Sequence, residues 1–166
     1  AATTKNGIVG IIGTEATIAS GSYQAALSPL SPNAETTGAA CPLFVPLVEN
    51  GHFAQGDPLV EWTVAEYLAP LKAAGVDTLI LGCTHYPLLR TKVREYLGDQ
   101  IAIVNPAYET AIDLKALLAG NGIENSGKSS SYEFYVSDAA DKFKEIANSI
   151  LPYDITTTRQ INIEEY

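Results

Sequence analysis

The chain has 166 residues, 46% apolar and 17% charged, enough for one globular domain with a proper core or one domain plus part of another, which excludes a disordered chain. Its 10 basic and 19 acidic residues leave a net charge of −9 with no Lys/Arg cluster, which argues against nucleic-acid binding. No apolar run is long enough to span a bilayer and no signal-peptide core precedes the first strand, so no membrane association is expected and a cytoplasmic location is the default.

Ile8 to Ile12 reads as a short buried strand ending at Gly13-Thr14. A helical stretch from Glu15 to Leu27 follows, weakened by Gly21, and Ser28 to Gly38, with Pro29, Pro32 and Asn33, reads as a loop. Leu43 to Val48 reads as a second strand that delivers Glu49 at its end, although Pro46 argues against a central position. Asn50-Gly51 marks a turn. Asp57 caps and Pro58 opens a helix whose apolar residues Val60, Val64, Tyr67, Leu68 and Leu71 keep helical spacing, and Pro70 is expected to kink or break it near its end.

Val76 to Leu81, interrupted only by Asp77 and Thr78, has the apolar density of a strand buried on both faces of a parallel sheet. A helix is expected over Pro87 to Leu97, then a strand over Ile101 to Val104. A second helix, Ala107 to Ala119, carries Ala107, Ala111, Leu114 and Leu118 on one face. Glu124 to Ser131 is a polar loop, and Tyr132 to Val136 a strand. Asp138 to Leu151 is a helix with Ala139, Phe143, Ile146, Ala147 and Ile150 on its buried face, and Ile155 to Ile163 alternates like a half-exposed strand. Strand and helix alternate throughout, which predicts an α/β protein of three layers around a parallel sheet.

The chemistry concentrates where the third of these strands stops. Gly82 allows a sharp turn, so Cys83 and His85 emerge at the carboxyl end of the strand, the edge where open α/β sheets bind ligands. Amide N–H groups at the start of the following helix, and an imidazole two residues on, favour the thiolate of Cys83. The two cysteines, Cys41 and Cys83, read as reduced thiols rather than a disulfide, and Cys41 as a small core residue. Glu49, arriving at a neighbouring strand end, can accept a hydrogen bond from His85. Thr14, Thr17 and Thr84 are candidate hydroxyl donors to an anionic ligand, although a threonine after glycine is equally a plain helix cap. His52 reads as a surface residue with no partner implied. A zinc site from Cys83, His85 and Cys41 lacks paired ligand spacing, so no metal is expected.

Gly82-Cys83-Thr84-His85-Tyr86-Pro87-Leu88-Leu89 resembles the second catalytic-cysteine motif of the glutamate racemases, in the cofactor-independent amino-acid racemase superfamily. Gly10 to Ile18 resembles the family's G-x-I-G-T-x-x-T stretch, and Cys41 to Glu49 its C-P-L-F-V-P-L-V-E stretch, in the same order and at similar spacing. Asn105-Pro106-Ala107-Tyr108-Glu109-Thr110-Ala111 and Phe134-Tyr135-Val136-Ser137-Asp138 extend the likeness over essentially the whole chain.

The resemblance implies interconversion of L- and D-glutamate without a cofactor, supplying D-glutamate for peptidoglycan, through two cysteine bases that each serve one face of the Cα carbon. Cys83 corresponds to one of them, with His85 and Glu49 as its relay and Thr14, Thr17 and Thr84 at the substrate. The family's N-terminal aspartate-serine motif and first catalytic cysteine, in a C-N-T phrase, have no counterpart here. The chain therefore reads as a C-terminal portion, with residues 1–104 as the second domain and 105–166 as the segment that completes the first. On that reading it holds one of the two bases and does not racemise glutamate unaided. The resemblance also implies a homodimer with glutamate as small-molecule substrate. Two other classes fit the same residues: a cysteine-dependent hydrolase or amidotransferase, in which the thiolate attacks an acyl carbon, and a non-catalytic fragment or binding module.

Overall fold

The structure is a computed structural model that describes residues 2–125, 127 and 129–165. Four parallel strands, β1 (Ile8–Gly13), β2 (Glu35–Ala40), β3 (Thr78–Leu81) and β4 (Ala102–Val104), form a sheet in the order β2-β1-β3-β4. Because side chains alternate across a strand, the sheet splits its apolar residues between two faces. Val9, Ile11 and Ile80 turn to one face, where Leu27, Ile18 and Tyr23 meet them from α1 (Glu15–Ser20) and α2 (Ser22–Leu27). Ile12, Leu79 and Leu81 turn to the other, where the larger core is closed by α3 (Phe44–Glu49), α4 (Pro58–Ala73) and α5 (Arg90–Leu97). The three-layer α/β arrangement read from the sequence is thus present.

The helices begin where side chains replace missing backbone partners. Asp57 accepts from the Leu59 amide at 3.0 Å, Pro58 occupies the first helical position, and α4 then buries Val60, Thr63, Val64, Leu68 and Leu71. The expected break at Pro70 does not occur, since α4 runs on to Ala73. Gly21, in the left-handed region at φ 62°, divides the expected Glu15–Leu27 helix into α1 and α2.

Two segments differ in kind from their sequence reading. The expected loop over Ser28–Gly38 contains the start of β2. Its Glu-Thr-Thr-Gly-Ala-Ala composition lacks an apolar signature because β2 is an edge strand, held by its ladder to β1 from Ile8–Glu35 to Gly13–Ala40. The expected strand Leu43–Val48 is instead helical. Pro46 falls in the first turn of α3, where an amide has no intrahelical partner, so the residue that weakens a strand fits this helix. The expected helix from Pro87 is first a 3₁₀ turn, Tyr86–Leu89, and becomes α-helical only at Arg90.

The chain divides into two compact units, Ala1–Ile123 and Glu124–Tyr166. In the first unit, α6 (Pro106–Gly120) follows β4 and has no buried residue, so the expected Ala107, Ala111, Leu114, Leu118 face is open. In the second, β5 (Phe134–Val136) pairs in parallel with β6 (Thr158–Gln160), and α7 (Ala140–Ile150) lies between them in sequence. No residue of α7 is buried, and the strand expected over Ile155–Ile163 is confined to Thr158–Gln160, with a 3₁₀ turn at Ile163–Glu165. The described residues of 124–131 form neither helix nor strand; residues 126 and 128 lie outside the description.

A carboxylate fastens the chain where it enters β1. Asp77 Oδ1 accepts from Thr4 Oγ1 at 2.7 Å and from Thr78 Oγ1 at 2.9 Å, and Oδ2 accepts from the Lys5 and Asn6 amides, both at 2.6 Å. Burial is the largest single influence on this carboxyl and pushes its pKa up, but the four hydrogen bonds together outweigh it and hold the group at about 2. Among the described residues, no helix is long and apolar enough to cross a membrane.

Candidate active site

The candidate residues gather at the carboxyl edge of the sheet, around the point where the chain order reverses. From β1 the chain passes outward to β2 and then returns across to β3, which makes the gap between the ends of β1 and β3 the switch point. The two strands run in register up to Ile12 opposite Leu81, after which the Gly82 amide donates to the Ile12 carbonyl at 2.7 Å. A Cβ on Gly82 would lie 2.7 Å from that carbonyl oxygen and 3.0 Å from Tyr23 Cε2. Glycine is required here by this close approach, since Gly82 does not lie in the left-handed region.

Past that glycine, Cys83 is half-buried, and its Sγ lies 4.0 Å from His85 Nδ1. His85 Nε2 lies 3.4 Å from Glu49 Oε1, with the two side chains 33% and 41% exposed. That exposure leaves the pair in contact with solvent, a setting in which an ion pair orients more than it stabilises. The structure therefore aligns Cys83, His85 and Glu49 in one chain of contacts. Glu49 arrives differently from the sequence reading, as the last residue of α3 rather than the end of a strand.

The hydroxyl candidates separate. Thr84 is exposed, and its Oγ1 lies 3.4 Å from His85 Nδ1. Thr14 is the cap of α1 and accepts from the Thr17 amide at 3.2 Å, while the two hydroxyls bond each other at 2.9 Å. Both also stand at the carboxyl end of β1, so capping does not remove them from the switch point. Thr17 further touches the position a Gly13 side chain would occupy, 2.9 Å from its Cγ2.

A small cleft of about 130 Å³ opens beside the thiol, lined by Gly82, Cys83 and Thr84 on one side, Tyr23 on another, and the start of α6 at Asn105–Ala107. Tyr23 and the α6 start were not read as site residues from the sequence. The available signal was the familiar Asn105-Pro106-Ala107 stretch, with Asn105 as a cap that accepts from the Ala107 amide at 3.1 Å. Larger hollows lie elsewhere: one of about 310 Å³ over Val9, Ile80 and Val104, and one of about 360 Å³ between Leu43, Leu47 and Trp62. Neither is lined by a thiol, so the smaller cleft is the candidate on chemical grounds.

Cys41 is fully buried, its Sγ 3.6 Å from the Ala39 carbonyl, and burial pushes its thiol up to about 12. It belongs to the core, and both cysteines are free thiols. His52, expected to stand alone, places Nδ1 2.7 Å from Asp57 Oδ2. Among the described residues, no group of three or more His, Cys, Asp or Glu is arranged to hold a metal ion.

A family model described as Asp/Glu/Hydantoin racemase matches residues 1–111. A glutamate racemase from Geobacter metallireducens is 39% identical over 165 residues, covering 99% of this chain and 60% of the relative. The crystal structure of glutamate racemase isoform RacE1 from Bacillus anthracis matches with a TM-score of 0.90 at 35% identity, covering 98% of this chain and 60% of that one. Glutamate racemase from Francisella tularensis subsp. tularensis, solved in complex with D-glutamate, matches with a TM-score of 0.87 at 31% identity, covering 96% and 59%. The chain thus spans about 60% of the length of these relatives.

Proposed function

The chain belongs to the Asp/Glu/Hydantoin racemase family, and on that premise we propose that it carries one half of the proton-transfer machinery of a glutamate racemase, with Cys83 as the base for one face of the substrate Cα. The observation that carries the reading is the line from Cys83 Sγ through His85 to Glu49, with separations of 4.0 and 3.4 Å, at the switch point of a parallel sheet. Thiolate Cys83 takes the Cα proton. The same group, now a thiol, returns a proton when the reaction runs the other way. His85 stands where a protonated imidazole stabilises the thiolate, and Glu49 where it keeps that imidazole oriented. Thr84, Thr14 and Thr17 are the donors assigned to the substrate carboxylates, and no cofactor enters the reading.

A carbanion adjacent to a carboxylate needs a closed, preorganised site. The cleft at Cys83, about 130 Å³, lies below the roughly 300 Å³ at which complete ligand pockets begin, which supports a site whose opposite wall and second base come from another segment. The open face of α6 supports the same division, in which residues 1–104 form one domain and 105–166 complete another. D-Glutamate supply for peptidoglycan and a cytoplasmic location follow from the family role. A homodimer belongs to the same reading, supported by the exposed Leu43, Leu59 and Trp62, and sedimentation velocity tests it.

Incubation of the chain with L- and D-glutamate in heavy water, with Cys83→Ala in parallel, tests the assignment. Exchange of the α-proton of one enantiomer without loss of optical rotation, abolished in the variant, is the expected result. Full racemisation would place a second base within these residues. A covalent acyl adduct on Cys83, with a product of changed mass, would instead establish the hydrolase or amidotransferase reading.

A further inference from the structure

Glu49 and His85 come from segments separated by a long stretch of chain, and one buried hydroxyl joins those segments. Tyr86, the residue after His85, is fully buried, and its phenol donates to the Cys41 carbonyl at 2.9 Å. That carbonyl also accepts from the Phe44 amide at 3.2 Å, and Phe44 is the first residue of α3, the helix that ends at Glu49. On its other side the Cys41 amide donates to the Gly13 carbonyl at 2.9 Å. The carboxyl end of β1, the turn after β2 and the turn after β3 thus meet at one residue, Cys41, through its two flanking peptide groups. The Phe44 ring meets the Tyr86 ring edge-on, with centroids 5.1 Å apart and planes at 84°.

A phenylalanine would fill the same space, and a buried hydroxyl adds little net stability even when hydrogen-bonded. What the hydroxyl adds beyond packing is direction, because a hydrogen bond to a backbone carbonyl fixes angle as well as distance. We propose that Tyr86 is a positioning residue, whose hydroxyl ties the Cys83–His85 turn to the start of α3 and thereby sets the approach of Glu49 to His85. The inference rests on the roles given to Cys83, His85 and Glu49 above.

A double-mutant cycle tests it on the 166-residue chain. Cys41 is buried, so iodoacetamide modification of the native chain, followed by mass spectrometry, reads Cys83 alone. Glu49→Gln is expected to slow modification about threefold, the size of an exposed ion-pair effect, and to have no effect in a Tyr86→Phe background whose circular dichroism is unchanged. Placing p-aminophenylalanine at position 86, which restores a ring donor, is expected to restore the Glu49 effect and supplies a second folded variant. The same Glu49→Gln factor with and without the Tyr86 hydroxyl, or loss of the effect that the restored donor fails to rescue, would overturn the inference and leave the proposed function standing. Absence of any Glu49→Gln effect in the unmodified background would remove the Glu49 role itself, and the inference with it.

Discussion

α4 and α6 begin alike and end in different circumstances. Each opens with a capping side chain and a proline: Asp57 accepts from Leu59 N–H at 3.0 Å and Asn105 from Ala107 N–H at 3.1 Å, and the helices run 16 and 15 residues. Yet α4 buries five residues, four of them in the main core, whereas α6 buries none and exposes Tyr108, Leu114 and Leu117 by 63%, 51% and 60%. A cap is a local event written in a few consecutive residues. Burial is a property of whatever stands opposite, so a matching apolar periodicity leads to a core in one case and to an open face in the other.

The sharpest way to break that comparison is to truncate one leucine in each helix. Leu68→Ala, fully buried in α4, is expected to cost about 3 kcal/mol in urea unfolding, through lost burial and the cavity left behind. Leu114→Ala in α6 is expected to stay within about 0.5 kcal/mol. Equal costs would mean that α6 is packed in solution and that the two helices do not differ as described.

Gly82→Ala ranks next. The added methyl would meet the Ile12 carbonyl oxygen at 2.7 Å, so the backbone of β1 or β3 must shift. The expected cost is about 2 kcal/mol, in the range for overpacking a close-fitted position, with a changed Cys83 modification rate. Unaltered stability and Cys83 reactivity would show that the strand ends are looser than drawn.

Asp77 offers a pH test of a contact that only tertiary structure makes. Its folded pKa, about 2, lies below the ordinary 3.8, so its stabilisation is complete above about pH 4 and is lost as pH falls through about 2. For this partly solvated group the loss should be about 1 to 2 kcal/mol, and Asp77→Asn should flatten that part of the stability curve. A curve of the same shape in the variant would assign acid sensitivity to other carboxylates. The smallest effect is at the α6 cap: Asn105→Ala is expected to weaken the first turn by about 1 kcal/mol, seen as faster amide exchange at Ala107 with little change in global unfolding.

Much of the site was legible beforehand because its signals are local. Cys83 and His85 stand two residues apart in one turn, so their meeting at 4.0 Å needs no long-range information. The sequence pattern places Glu49 beside His85 at a strand end, whereas the structure carries it on a helix. Phe44–Val48 is apolar and largely without helix formers, and only the position of Pro46 within a first turn reconciles the sequence with α3. The Tyr86 bond to Cys41 was not legible, since it joins residues 45 apart.

By itself, the sequence determined the cap at Asp57, the weak point of the first helix at Gly21, the buried strand β3 and the thiol and imidazole after Gly82. Each rests on residues within a turn or two of one another, where backbone sterics and local hydrogen bonds are decisive. The tertiary structure alone decided that Glu35–Ala40 is a strand, that α3 rather than a strand end presents Glu49 and that α6 and α7 bury nothing. Those outcomes depend on a ladder partner or an opposing surface supplied by distant chain, and no local pattern contains that information.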